Sequence, residues 1–146
     1  MRTPRTAAVA LLVGAVLAGC GGAPVPPTPV ATASPPSAEA DAAACRRHTD
    51  IVGHVRTLAE MIDAQPVLPA AVALLLLSPR EAYATPGAQD PALVAALAEV
   101  VAAIDDLDAQ GKALLPPDGN PAETAVQLDP TRVRAALDGV DRLCGP

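Results

Sequence analysis

"ALVAALAEVVAAIDDLDAQGKALL", residues 92–115, decides the fold. Leu93, Leu97, Val100, Ile104 and Leu107 recur at alternating intervals of four and three. That repeat puts one apolar side chain per turn on a single helical stripe. Asp90-Pro91 stands just ahead of it. An Asp cap followed by Pro at the first helical position is a start signal. Gly111 is expected to loosen or end the helix, and "PPDGNP", residues 116–121, reads as a loop.

The same grammar extends in both directions. Downstream, Asn120-Pro121-Ala122-Glu123 has the form of a capping box opening one or two turns. Asp129-Pro130 then opens a last helix, where Val133, Leu137, Val140 and Cys144 follow a four-three-four spacing and Gly145 is a stop. Upstream, the segment Ala38–Ala64 places Cys45, His48, Val52, Val55, Ala59 and Ile62 on one helical face, flanked by Ile51 and Leu58. Pro66 ends it. Between these lies Pro66–Ser78, whose apolar run from Ala70 to Leu77 is far short of the ~20 residues of a membrane-spanning helix. It is expected to form a short helix buried nearly all round. Ser78-Pro79-Arg80-Glu81 then looks like a capping box where a new helical turn begins. No internal repeat is found. The expected fold is all-α: a small helical bundle of three main helices plus a short buried helix, over residues 38–146.

Composition agrees. The chain is 51% hydrophobic but only 1% aromatic, with one Tyr and no Phe or Trp. Ala and Leu favour helix, and no long alternating run of β-branched or aromatic residues suggests strands. A core without large rings must be built by close approach of small side chains. The net charge is −6. Without Arg2 and Arg5, 8 basic residues face 16 acidic ones, a net −8. No basic patch for nucleic acid exists in such a balance, and anionic lipid headgroups would repel it. Membrane attachment must then be covalent.

The N-terminus supplies a means. "MRTPRT" carries two Arg and no acid, "AAVALLVGAV" is apolar, and "LAGC" follows at Leu17–Cys20. These are the parts of a secretory signal, and the apolar stretch is too short to span a bilayer as a helix. The two Arg are not adjacent, which favours the general secretory route. Leu17-Ala18-Gly19-Cys20 resembles, at every position, the lipobox of bacterial lipoprotein precursors. The resemblance covers about the first 20 residues; an ordinary secretory signal with a chance Cys is the alternative. It implies that residues 1–19 are removed and that Cys20 becomes a diacylglyceryl, palmitate-type anchor on the extracytoplasmic face of the cell membrane. Two acyl chains give stable anchoring where one is marginal. Residues 20–37 then form a lipidated Cys and a Pro-rich tether. Gly21–Ser37 holds six Pro and no charge, a composition of extended linkers. As polyproline II it reaches about 50 Å. Its Thr and Ser residues admit either a glycosylated stalk or a bare spacer.

With Cys20 so used, Cys45 and Cys144 remain. An even pair in an exported chain reads as a disulfide, here joining the first helix to the end of the last. The alternative is a zinc site of Cys45, His48 and Cys144, for which no fourth ligand is evident. No Cys-x-x-Cys-His run for a haem is present. His48 and His54 read as single histidines, one partly buried and one near solvent beside Asp50. Asp106-x-Asp108-x-Gln110-Gly111 imitates the first half of an EF-hand loop but has Pro117 where the bidentate Glu belongs, so an exposed helix end with Asp108 and Lys112 paired is expected instead.

No nucleophile, base and orienter group together. The only serines are Ser34, Ser37 and Ser78, and no phosphate loop or zinc-protease motif occurs. No cofactor, metal or enzymatic activity is expected. The expected role is binding or structural, presenting a helical surface to an envelope protein. The alternative is a carrier or sensor of a small apolar ligand.

Overall fold

The computed structural model describes residues 36–145, so Cys20, the signal segment and nearly all of the tether lie outside the described residues. Four helices follow in order: α1 (Pro36–Ala64), α2 (Pro69–Ala84), α3 (Pro91–Leu114) and α4 (Thr131–Cys144). The described residues form an all-α small bundle. α3 packs on α2 and α4, and α1 closes the ring against α4 and α2.

Cross-links along each pair fix the directions. Early α1 meets late α4 through Cys45 and Cys144, and late α1 meets early α4 through Asp63 and Arg134. His48 of α1 meets Tyr83 near the end of α2. The start of α2 at Pro69 lies against Gly111 near the end of α3, and Arg80 binds Asp105. Gln110 binds the Asp129 backbone at the start of α4. Every neighbouring pair is therefore antiparallel, the up-down-up-down arrangement that short connections favour.

The α3 stripe is buried as its spacing requires: Leu93, Leu97, Val100, Ile104 and Leu107, joined by Ala103. The Asp90 carboxylate accepts the Ala92 and Leu93 N–H groups, capping the helix. In α4, Val133, Leu137 and Val140 are buried, and Gly145 ends the helix at φ +73°. In α1 the buried set is Ala44, His48, Val55, Leu58, Ala59 and Ile62; Cys45, Ile51 and Val52 are partly covered.

Three local expectations are corrected. Gly111 does not end α3, which continues to Leu114. Its role is clearance: a Cβ there would stand 2.9 Å from the Pro69 Cβ. The Asn120–Glu123 box makes only a turn: Asn120 Oδ1 accepts the Ala122 N–H, and the Asn120 carbonyl accepts from Glu123 and Thr124. Finally, the expected short helix of Pro66–Ser78 is a longer one, Pro69–Ala84, running through Pro79. An interior proline removes one hydrogen bond and costs about 3 kcal/mol. Here its ring is buried on the same stripe as Val72, Leu76 and Tyr83, which offsets part of that loss. Nor is the helix buried all round: Leu74 is 73% exposed, and Leu75 and Leu77 are also exposed. The neighbouring helices cover the inner stripe of α2 and leave its outer side to solvent.

The connections are stitched together. Val67 and Val126 exchange both backbone hydrogen bonds at 2.9 Å, an isolated antiparallel bridge between two loops. The Pro121 carbonyl accepts the Ala70 N–H, serving a free donor at the start of α2 where Leu68 offers no side-chain cap. Gln127 Nε2 donates to the Ile62 carbonyl at 2.9 Å, satisfying a free acceptor at the end of α1. At the opposite end, the Asp41 carboxylate accepts the Gln89 and Asp90 N–H groups, which holds it below the usual carboxylate range.

Candidate functional site

Two features stand out: a polar clamp between α1 and α4, and the outer face of α2. The clamp begins with the cysteines. Cys45 and Cys144 lie at disulfide distance, with sulfurs 2.00 Å and Cα atoms 5.4 Å apart. The thiols of the alternative zinc site are thus directed at each other. Among the described residues no cluster of three or more His, Cys, Asp or Glu is placed to hold a metal.

One turn inward on both helices lie His48 and Asp141. His48 is not the isolated, partly buried side chain expected; it is 2% exposed and bonded at both ring nitrogens. Nε2 and Asp141 Oδ1 are 2.7 Å apart, and Nδ1 and the Tyr83 hydroxyl oxygen 2.9 Å. A carboxylate only accepts, so His48 carries a proton on Nε2 and donates it to Asp141, while Nδ1 pairs with the Tyr83 hydroxyl. Arg56 donates to the other oxygen of Asp141 and to Asp138, each at 2.6 Å. The result is one hydrogen-bonded chain from Tyr83 through His48 to Asp141, closed by Arg56.

The electrostatics follow from that chain. Burial pushes the Asp141 carboxyl up, but hydrogen bonds from His48 and Arg56, helped by their charges, outweigh it and leave Asp141 below its ordinary range. Burial pushes the Tyr83 phenol well above its ordinary value; the Asp141 charge adds to this and Arg56 opposes it. Among the described residues, no buried side-chain polar atom lacks a partner. His48 and Tyr83 are closed off from solvent, and the cluster joins α1, α2 and α4.

The second feature is the face of α2. From Pro66 to Pro79 the sequence carries no charge. Leu74, Leu75 and Leu77 stand on it among exposed Ala70, Ala71 and Ala73. Beside it a groove of about 210 Å³ runs between α2 and α3, floored by Val72, Leu76, Ile104 and Leu107. Arg80 and Asp105 close one rim with paired bonds of 2.6 and 3.0 Å. Asp108 and Lys112 form the expected i, i+4 ion pair, and Asp106 is bonded to Gln110, so the EF-hand-like run is occupied by its own neighbours. His54 is exposed on α1, away from His48.

Asp141, Tyr83 and Arg56 belong to no motif in the sequence. Asp141 had a usable signal: it precedes Cys144 by three, as His48 follows Cys45 by three, so an antiparallel cysteine pair brings them face to face. Tyr83 had none, because its placement depends on α2 continuing through Pro79.

Compared with protein-family models, with curated proteins and with solved structures, the chain matches none of them.

Proposed function

We propose that this protein is a lipid-anchored, extracytoplasmic helical lipoprotein that binds an envelope protein through the outer face of α2. The observation that carries the reading is the exposure of Leu74, Leu75 and Leu77 on a helix with no charge between Pro66 and Pro79. Contiguous apolar surface rimmed by charge is the usual mark of an interaction face. The lipobox at Leu17–Cys20 supports the anchor, and the uncharged tether supports a domain held off the membrane. Among the described residues no helix is long and apolar enough to cross a membrane. The carrier reading has less behind it: the apolar groove beside α2 is about 210 Å³, below the roughly 300 Å³ at which ligand pockets begin, and the larger cleft at Cys45 and Cys144, about 670 Å³, has Asp41, Arg46 and Asp90 in its lining.

The test is photo-crosslinking in native membranes with a benzophenone side chain at position 74, against a control at Ala135 on exposed α4 surface. A discrete protein adduct from position 74 alone is expected. Equal labelling from both positions, or adducts to lipid alone, overturns the partner reading. The anchor is tested separately: Cys20→Ala should leave an unprocessed precursor without acyl chains, and a normally processed, lipidated product would sink it.

A further inference from the structure

The last turn of α4 has little besides α1 to hold it. Val140 is fully buried, but beyond it Arg142 is exposed and Leu143 is 49% exposed. Asp141 and Cys144 tie this turn to α1, while Leu143 lines the cleft that Leu93 of α3 also lines. After them the chain turns away at Gly145. A helix end with no buried apolar side chain frays at almost no free-energy cost unless something else fastens it. Here the fastening is the cysteine pair, with the Asp141 bonds just inside it.

That pair is also reachable. Cys45 and Cys144 are only partly buried and line an open cleft of about 670 Å³ together with Asp41, Arg46, Thr49 and Leu143. Thiol–disulfide exchange needs a thiolate to approach one sulfur, so access is a first requirement.

We propose that the Cys45–Cys144 bond is a reducible clamp, opened by a dithiol, that releases the last turn of α4 and thereby uncouples Asp141 from His48. The inference concerns the clamp alone and does not depend on the anchor or on the α2 partner. A thiolate of the dithiol attacks one sulfur, the Cys45–Cys144 bond breaks, and the departing sulfur takes a proton. The second thiol of the reductant then displaces the remaining cysteine. Two electrons and two protons pass to Cys45 and Cys144, and the reductant ends as a disulfide. With α4 freed beyond Val140, His48 Nε2 loses its acceptor and must take water, which opens a path to Tyr83. The groups facing His48 are Asp141 on α4 and the Tyr83 hydroxyl on α2; Arg56 and Asp138 act through Asp141.

Tyr83 is a native reporter, because the chain has no other Tyr and no Trp or Phe. The full-length protein is treated with dithiothreitol at neutral pH, and amide exchange and phenol ionisation are followed in both states. A double Cys45→Ser, Cys144→Ser variant supplies a reduced state that cannot reoxidise. Amides of residues 141–144 should exchange about tenfold faster or more on reduction, while those of the α3 stripe keep their protection. Tyr83 should ionise at lower pH than in the bonded state. Three results overturn the proposal: a bond that resists the dithiol under native conditions, a reduced protein whose 141–144 amides and Tyr83 titration are unmoved, or loss of protection across the whole bundle. The last would make the bond a staple for the entire fold.

Discussion

His48 of α1 and Asp141 of α4 are hydrogen-bonded at 2.7 Å, one turn inside the Cys45–Cys144 pair on both helices. The histidine is buried and the carboxylate is its only acceptor at Nε2. Asp141→Ala should therefore destabilise the domain by about 1–3 kcal/mol, the cost of leaving a buried donor unpaired. Asp141→Asn keeps an acceptor for His48 but weakens the bond to Arg56, and should lie between the two. Urea unfolding followed by helical circular dichroism checks the order; an alanine variant as stable as the parent refutes it.

Two glycine substitutions should move stability in opposite directions. Gly111→Ala forces a Cβ to 2.9 Å from the Pro69 Cβ, and the neighbour is a rigid ring at the start of α2. Overpacking of this kind costs about 1–3 kcal/mol, which exceeds the gain of up to ~1 kcal/mol in helix propensity. At Gly53, within α1, an added Cβ would meet nothing within 4 Å, so Gly53→Ala should stabilise by roughly 0.5–1 kcal/mol. Thermal melting of the two variants side by side decides the matter.

Alkali should unfold the protein through Tyr83. Burial raises its phenol above the unfolded value of about 10. A raised folded value means that the stabilisation is complete below pH about 10 and is lost as pH climbs through the folded value. Phenolate absorbance and helical signal should change together, since ionisation of this one ring requires opening the core. Ionisation near the ordinary phenol value with the helices intact would contradict the burial.

Acid should act through carboxylates whose folded values are depressed. Asp41 is lowered by the Asp90 and Gln89 N–H groups, Asp129 by the hydroxyl and N–H of Thr131, and Asp141 by His48 and Arg56 against its burial. A depressed value means stability that is complete above the unfolded pKa of about 3.9 and is lost as pH falls through the folded one. Denaturant midpoints should be level near neutrality and fall below pH about 4. Asp41→Asn should flatten part of that fall.

Much of the helical layout is legible in the sequence because the stripes of α3 and α4 are apolar on one side only. Leu93 to Leu107 and Val133 to Val140 each fall on one helical face, which the bundle buries, and Asp90-Pro91 marks an actual start. The cysteine pairing is legible for the same reason, since both residues continue an apolar stripe. α2 is not legible. Ala and Leu occupy every side of Ala70–Leu77, so periodicity cannot say which side is covered, and Ser78-Pro79 has the form of a start although the proline fits the buried stripe. The loop bridge of Val67 and Val126 depends on two connections meeting across the bundle, which no local pattern encodes.

The cysteine pair also sets how the domain carries load. Its two members are 99 residues apart in sequence and sit near the two ends of the folded chain. With the sulfurs bonded, tension applied between the N-terminal and C-terminal ends enters at Cys45, crosses one covalent bond and leaves at Cys144. The helices between them lie outside the path of the force. Only the first turns of α1, from Pro36 to Ala44, lie ahead of the bond, so tension between these two ends can draw out those turns before it strains the bundle.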